Sequence, residues 1–239
     1  MIDVDGVHYI SELYKKEIAV KLKSDLLSTY LYCKTNEYNI DATAIGKRKL
    51  KNLALHYLMY LNDPEIFNLC CDQYYNSNNM TDVFSSFIAL VNSEYPAKQE
   101  IFNDFYSKWQ QYPLVVDKWF SAHAITKQNE TLQKVKKLTS HQDFLISNPN
   151  RVRALIATFT KLNHINFHQI DGDGYRFLKD MLMKIDPLNP QLSSLLVKPL
   201  INWQRFDKIR GESMREQLHI IVSNESISKN LREIVEKAW

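Results

Sequence analysis

Apolar residues recur along this chain at the spacing of a helix. Ile10, Tyr14, Ile18, Leu22, Leu26 and Tyr30 follow one another at intervals of four, which on a turn of about 3.6 residues lines them along one face. Leu53, Tyr57, Leu58 and Leu61 continue the pattern in a second segment. Val83, Phe84, Phe87, Ile88 and Val91 form another stripe, then Ile101, Phe102, Phe105 and Trp109, then Val152, Leu155, Ile156, Phe159 and Leu162. The chain reads as about ten to twelve such segments, each needing a neighbour against which to bury its stripe.

Start signals fall between the stripes. Asp63-Pro64 and Asn189-Pro190 each set a capping side chain before a proline. At the first helical position proline's missing N–H costs nothing and its φ is already suitable. Asn148-Pro149 does the same, or else Asn150 is the cap; either choice starts a helix near Arg151. Pro199 should kink or break the helix that opens at Pro190, because its ring clashes with the preceding turn. Short polar breaks around Asn36 to Asn39, Asn76 to Asn79 and Lys127 to Glu130 suggest antiparallel neighbours. Antiparallel pairs of roughly 40 residues are the unit of HEAT and armadillo solenoids. A globular bundle would show the same periodicities. No Pro/Ser-rich linker divides residues 1–239, which read as a single helical domain.

Composition narrows this further. With only five glycines and seven prolines in 239 residues, a many-stranded sandwich or barrel is disfavoured. Cys33, Cys70 and Cys71 make an odd count without C-x-x-C spacing, so neither a disulfide framework nor a zinc knuckle is indicated, and a reducing compartment is the simplest inference. Asp3 and Asp5 argue against a signal peptide at the start, and no run approaches the roughly 18 apolar residues of a membrane span. A net charge of +3 is too small to demand a polyanionic partner. The basic clusters Lys47-Arg48-Lys49-Lys51 and Lys134-Lys136-Lys137 read as solvated helix faces. Partners therefore include neither nucleic acid nor membrane.

No catalytic constellation stands out. His164 and His168 are four apart, a zinc-compatible spacing, but no Glu follows the first and no third ligand is evident; they read as structural, with His168 anchoring the turn into Asp171. Asp171-Gly172-Asp173-Gly174 begins like a calcium loop, yet the fifth and twelfth positions hold Tyr175 and Leu182 where oxygen ligands belong. A tight turn capped by Asp171 or Asp173 is the better reading. There is no G-x-S-x-G elbow and no phosphate-cradling glycine loop. Trp109, Trp119 and Phe120 read as core aromatics. Arg151 and Arg153, two apart on a helix, point in different directions, so that one can pair structurally while the other faces a cavity.

The run Asn148-Pro149-Asn150-Arg151-Val152-Arg153-Ala154-Leu155 carries a resemblance. Around it, in order, lie Asn78-Asn79-Met80-Thr81-Asp82, Asp117-Lys118-Trp119-Phe120, Phe167-His168, Asp171-Gly172-Asp173-Gly174-Tyr175-Arg176-Phe177-Leu178, Asn189-Pro190-Gln191 and Arg205-Phe206-Asp207-Lys208-Ile209-Arg210. From about Leu22 onward the chain resembles the C-terminal helical domain of bacterial aminopeptidase N, a family of zinc metallopeptidases. The resemblance implies an all-α fold, a right-handed α-superhelix of antiparallel helix pairs. It implies a cap that walls the peptide cavity of a cytoplasmic enzyme and is not catalytic alone. Zinc and its H-E-x-x-H motif belong to the parent, and this segment contains no cofactor or metal site. The implied partners are the N-terminal and catalytic domains of the parent and its peptide substrates. Arg153 becomes the cavity-facing cation and Arg151 its companion, steering a peptide carboxylate. Leu195 stands where relatives can carry a further arginine, and Gly211 where a better helix former is usual. The alternative is a freestanding helical-repeat scaffold that binds protein or nucleic acid.

Overall fold

The computed structural model describes residues 1–35 and 37–239. Among them every regular element is helical, and the one strand-like contact is an isolated bridge between Ile2 and Phe206. The chain forms two compact units, His8–Gln111 and Met1–Val7 with Tyr112–Trp239.

In the first unit the long apolar stripe divides into α1 (Val4–Lys21) and α2 (Lys23–Cys33), broken at Leu22. Part of that stripe looks like core in sequence but has no cover within the chain: Ile10 is 47% exposed, Tyr14 65% and Leu22 44%. In α3 (Ala42–Leu58) the buried residues are Arg48, Lys51, Ala54, Leu55 and Leu58. Leu53 lies outside, so the face is rotated from the one its leucines suggested. This also corrects the reading of the basic cluster. Lys47 and Lys49 are exposed, but Arg48 is buried, donating to the Asn39 carbonyl at 2.7 Å, and Lys51 is buried against Asp82. The break expected from Asn36 to Asn39 falls between α2 and α3, with Asn36 itself outside the described residues. Three further helices follow: α4 (Pro64–Asn76), α5 (Met80–Val91) and α6 (Lys98–Trp109). Asp63 caps α4 with Pro64 at the first position, as the dipeptide implied. Phe87 of α5 is fully buried and stacks on Phe105 of α6, centroids 4.2 Å apart. Trp109 is only half-buried.

The second unit begins with α7 (Pro113–Ile125), which buries Trp119 and Phe120, and α8 (Thr131–Leu138). Then α9 (Pro149–Val152) passes through a π turn at Arg153–Ala157 into α10 (Thr158–Leu162). The wider turn advances the buried face by a residue. Thr160 and Asn163 are buried after Phe159, whereas Leu162, expected in the stripe, is exposed. Two helices meet at a tight corner, α11 (His164–Phe167) and α12 (Asp173–Ile185). Asp171 accepts the Asp173 N–H at 2.9 Å, and Gly172 takes a left-handed φ of 71° that disfavours other residues. Gly174 lies so close to the chain that an added Cβ would meet the Phe167 carbonyl oxygen at 2.2 Å.

Pro199 has the expected effect: α13 (Pro190–Leu196) stops and α14 (Lys198–Ile201) restarts beyond Val197. The last helices are α15 (Lys208–Ser223) and α16 (Lys229–Glu236). Gly211 is buried in α15, where a Cβ would come 3.0 Å from the Trp203 carbonyl, so close approach explains a residue that helix propensity alone would not choose. Buried Asp186 accepts from the Ser228 N–H and hydroxyl, each at 2.7 Å, and from the Ser193 hydroxyl, joining the end of α12 to α13 and the start of α16. The described residues hold sixteen α-helices, more than the periodicity suggested. Brief breaks at Leu22, Asn163 and Val197, and the π turn, interrupt hydrogen bonding without interrupting apolar spacing.

Candidate functional site

Asn148 settles the choice of cap for α9, since its side chain accepts from the Asn150 and Arg151 N–H groups with Pro149 at the first position. This aims two arginines apart. Arg151 turns inward, only 8% of its side chain exposed. Its Nη1 donates to Asp117 Oδ1 at 2.8 Å and to the Pro113 carbonyl at 3.4 Å, and the guanidinium lies 5.1 Å from the Phe120 ring centre. Burial pushes the Asp117 carboxyl up from its ordinary value, against the opposing pull of Arg151. Arg151 therefore ties α9 to α7.

Arg153 is exposed and opens the π turn, its Nη1 reaching Asn150 Oδ1 at 3.3 Å. The Thr158 N–H donates to the Arg153 carbonyl and not to Ala154. The Ala154 carbonyl instead accepts from the Ser121 hydroxyl of α7 at 3.1 Å. A π turn of this kind, often found where a helix carries function, thus holds the segment that bears Arg153 on both sides. The structure separates the two arginines: one is paired within the unit, the other presented to solvent.

His168 is structural, as the missing Glu and third ligand suggested, despite its zinc-compatible spacing from His164. Its Nδ1 lies 2.9 Å from the Tyr175 hydroxyl, its ring stacks on Phe206 at 4.5 Å, and its carbonyl accepts from Arg210 Nε at 2.6 Å. Arg210 also reaches Asp207 at 2.9 Å and Asp5 at 2.6 Å, and Ile2 donates to the Arg205 carbonyl at 2.6 Å, so Met1–Val7 is fastened to this unit. His164 sits at the Lys161 carbonyl.

Residues 1–239 match the family described as Domain of unknown function (DUF3458_C) ARM repeats. The chain belongs to that family. Aminopeptidase N of Haemophilus influenzae is 36% identical over 237 residues, covering 99% of this chain and 27% of the relative. Aminopeptidase N of Escherichia coli K12 is 35% identical over 238 residues, covering 100% of this chain and 27% of the relative. A crystal structure of Legionella pneumophila aminopeptidase A in complex with aspartic acid matches with a TM-score of 0.89 at 27% identity, covering 99% of this chain and 29% of that one. The chain thus spans little more than a quarter of the length of these relatives. The resemblance and the all-α, armadillo-type fold expected from the sequence are borne out.

Within this ARM-repeat domain, no group of three or more His, Cys, Asp or Glu among the described residues is arranged to hold a metal ion. No described helix is long and apolar enough to cross a membrane. One polar centre escaped the sequence reading. Lys51 Nζ meets Asp82 Oδ2 at 2.7 Å with both side chains 5% exposed. A signal existed: Asn79 and Asp82 are spaced as cap and third helical residue, and Lys51 shares a face with Ala54, Leu55 and Leu58 at helical intervals.

Burial, with His164 and Arg210 nearby, holds the His168 imidazole down at about 3, and burial does the same to His123. Against an unfolded value of about 6.5, the folded state resists protonation. The stability this confers is complete above pH 6.5 and is lost as pH falls toward 3. We expect His168→Gln to lose ~2 kcal/mol less stability than the parent chain between pH 7 and 5, at about 1.4 kcal/mol per unit over the range below 6.5. Urea titrations at the two pH values measure this, and an unchanged difference would refute the assignment.

Proposed function

We propose that residues 1–239 are the C-terminal domain of a larger zinc aminopeptidase of the cytoplasm, walling the cavity through which peptides reach a metal held elsewhere in that protein. The observation that carries this reading is the 36% identity over 99% of the chain to a relative named aminopeptidase N, of which the chain spans only 27%. The exposed face of α1 supports it. Leu13, Tyr14, Ile18 and Leu22 line a groove of about 430 Å³ with Glu17 and Lys21. Contiguous apolar surface of this kind marks a docking face more often than a free one. The N-terminal and catalytic parts of the parent are its natural occupants.

In this reading the domain contributes shape and charge, and Arg153 is the cation that attracts the carboxylate end of a peptide substrate. Arg151 keeps it in place by fixing α9 against α7. A cation beside a cavity with low-dielectric walls attracts a carboxylate more strongly than one in bulk water. In the complete parent protein, Arg153→Ala is expected to raise KM for free-acid peptides about fivefold, the equivalent of ~1 kcal/mol. KM for the same peptides with amidated C-termini should stay nearly constant. Steady-state kinetics on matched pairs decides, and an equal change for both would reject the steering role.

A further inference from the structure

The segment that runs from the start of α9 through α11 carries cations and no acid. Residues 144–170 contain no Asp or Glu, while Arg151, Arg153 and Lys161 all fall among them. Arg151 is engaged by Asp117. Arg153 reaches only the uncharged Asn150, and Lys161, exposed like Arg153, makes no ion pair or hydrogen bond through its ammonium among the described residues.

The π turn decides where these two cations stand. Lys161 lies eight residues beyond Arg153, and in an unbroken α-helix eight residues overshoot two full turns by about 80°. Here the turn Arg153–Ala157 closes on the fifth residue, with the Thr158 N–H on the Arg153 carbonyl, and so takes nearly one residue more than an α turn. One π turn and one α turn together use about eight residues, which brings Lys161 into line with Arg153 about 10 Å along the axis. Burial follows the same geometry: Arg153 and Lys161 are exposed, and Ala157 and Thr158 between them are half-buried. The Ser121 hydroxyl on the Ala154 carbonyl keeps the turn in place.

We propose that Lys161 is a second specificity-determining cation in line with Arg153, and that the pair selects short peptides with an acidic side chain about three residues before the C-terminus. This rests on the reading of Arg153 as the cation for the terminal carboxylate. Three residues of an extended peptide span about 10 Å, the separation that the two helical turns give the cations. Arg153 takes the terminal carboxylate and Lys161 the side-chain one, with the small side chains of Ala157 and Thr158 leaving room for the peptide backbone between them. An exposed ammonium attracts a carboxylate only modestly, so Lys161 acts on affinity and leaves the chemical step alone.

Steady-state kinetics of the complete parent protein test this on two C-terminally amidated peptides that differ only in Glu or Gln at the third residue from the end. The amide silences the contribution of Arg153, so a failure of its role and a failure of Lys161 are read separately. Lys161→Gln is expected to raise KM for the Glu peptide about threefold, with kcat and the Gln peptide unchanged, and Lys161→Arg should restore the parent value. An equal change for both peptides, or none, would overturn the proposal. A parent that cleaves neither peptide would instead remove the aminopeptidase reading. The question then passes to nuclear magnetic resonance titration of this chain with the same two peptides. Shifts of the Ala157, Thr158 and Lys161 amides with the Glu peptide, lost in Lys161→Gln and absent with the Gln peptide, would support the pairing, whereas equal shifts or none would overturn it.

Discussion

Lys51→Met is expected to destabilise the chain by about 3–5 kcal/mol, the usual cost of breaking a buried ion pair by removing one partner. Methionine fills much the same space as the lysine stem, so lost packing contributes little. What remains is the Asp82 carboxylate, shut away from water with Asn52 and Asn79 as its only side-chain donors among the described residues. The damage would not stay local, because Asp82 stands in the first turn of α5, its N–H held by Asn79, and its carbonyl accepts from Gln73 of α4. One lysine on α3 thus secures three helices. Urea denaturation measures the change, with Lys49→Met, on the exposed face of the same helix, as a control expected within about 0.5 kcal/mol of the parent. A loss below about 1 kcal/mol for Lys51→Met would show that water reaches the pair.

Gly174→Ala is expected to cost about 3 kcal/mol, the upper part of the range for overpacking a core. The added methyl would lie 2.2 Å from the Phe167 carbonyl oxygen and 2.9 Å from its carbon. Both are backbone atoms that no side-chain rotation can move aside. Phe167 is fully buried and meets Tyr175 edge to face at 5.3 Å, so relief means parting α11 from α12. Gly46→Ala gives the opposite sign. Nothing lies within 4 Å of a Cβ there, and alanine inside α3 should stabilise by about 0.5–1 kcal/mol through helix propensity alone. Thermal unfolding of the two variants side by side checks the contrast, and a Gly174→Ala protein as stable as its parent would refute the close approach.

Much of this protein is local in origin and so legible in its residues. Asp63, Asn148 and Asn189 cap helices because a short polar side chain before proline can do little else at a helix start, and Pro199 ends α13 because its ring cannot continue it. The armadillo-type family, too, was readable from ordered motifs. What the tertiary structure alone decided is which face of each helix meets a neighbour. Apolar spacing marks a possible face, but it does not reveal whether anything covers it: Ile10, Tyr14 and Leu22 stay exposed, while Lys51 and Arg48 go inside. A lysine is buried only where a carboxylate distant in sequence waits for it, and Asp82 lies 31 residues away. Arg151 and Arg153 likewise look alike in sequence. They part because one finds Asp117 across α7 and the other falls at the start of a π turn, a shift in hydrogen bonding that no residue pattern announces. Residue types and spacing determined the helices and the family; contacts between distant residues determined the core and the exposed arginine.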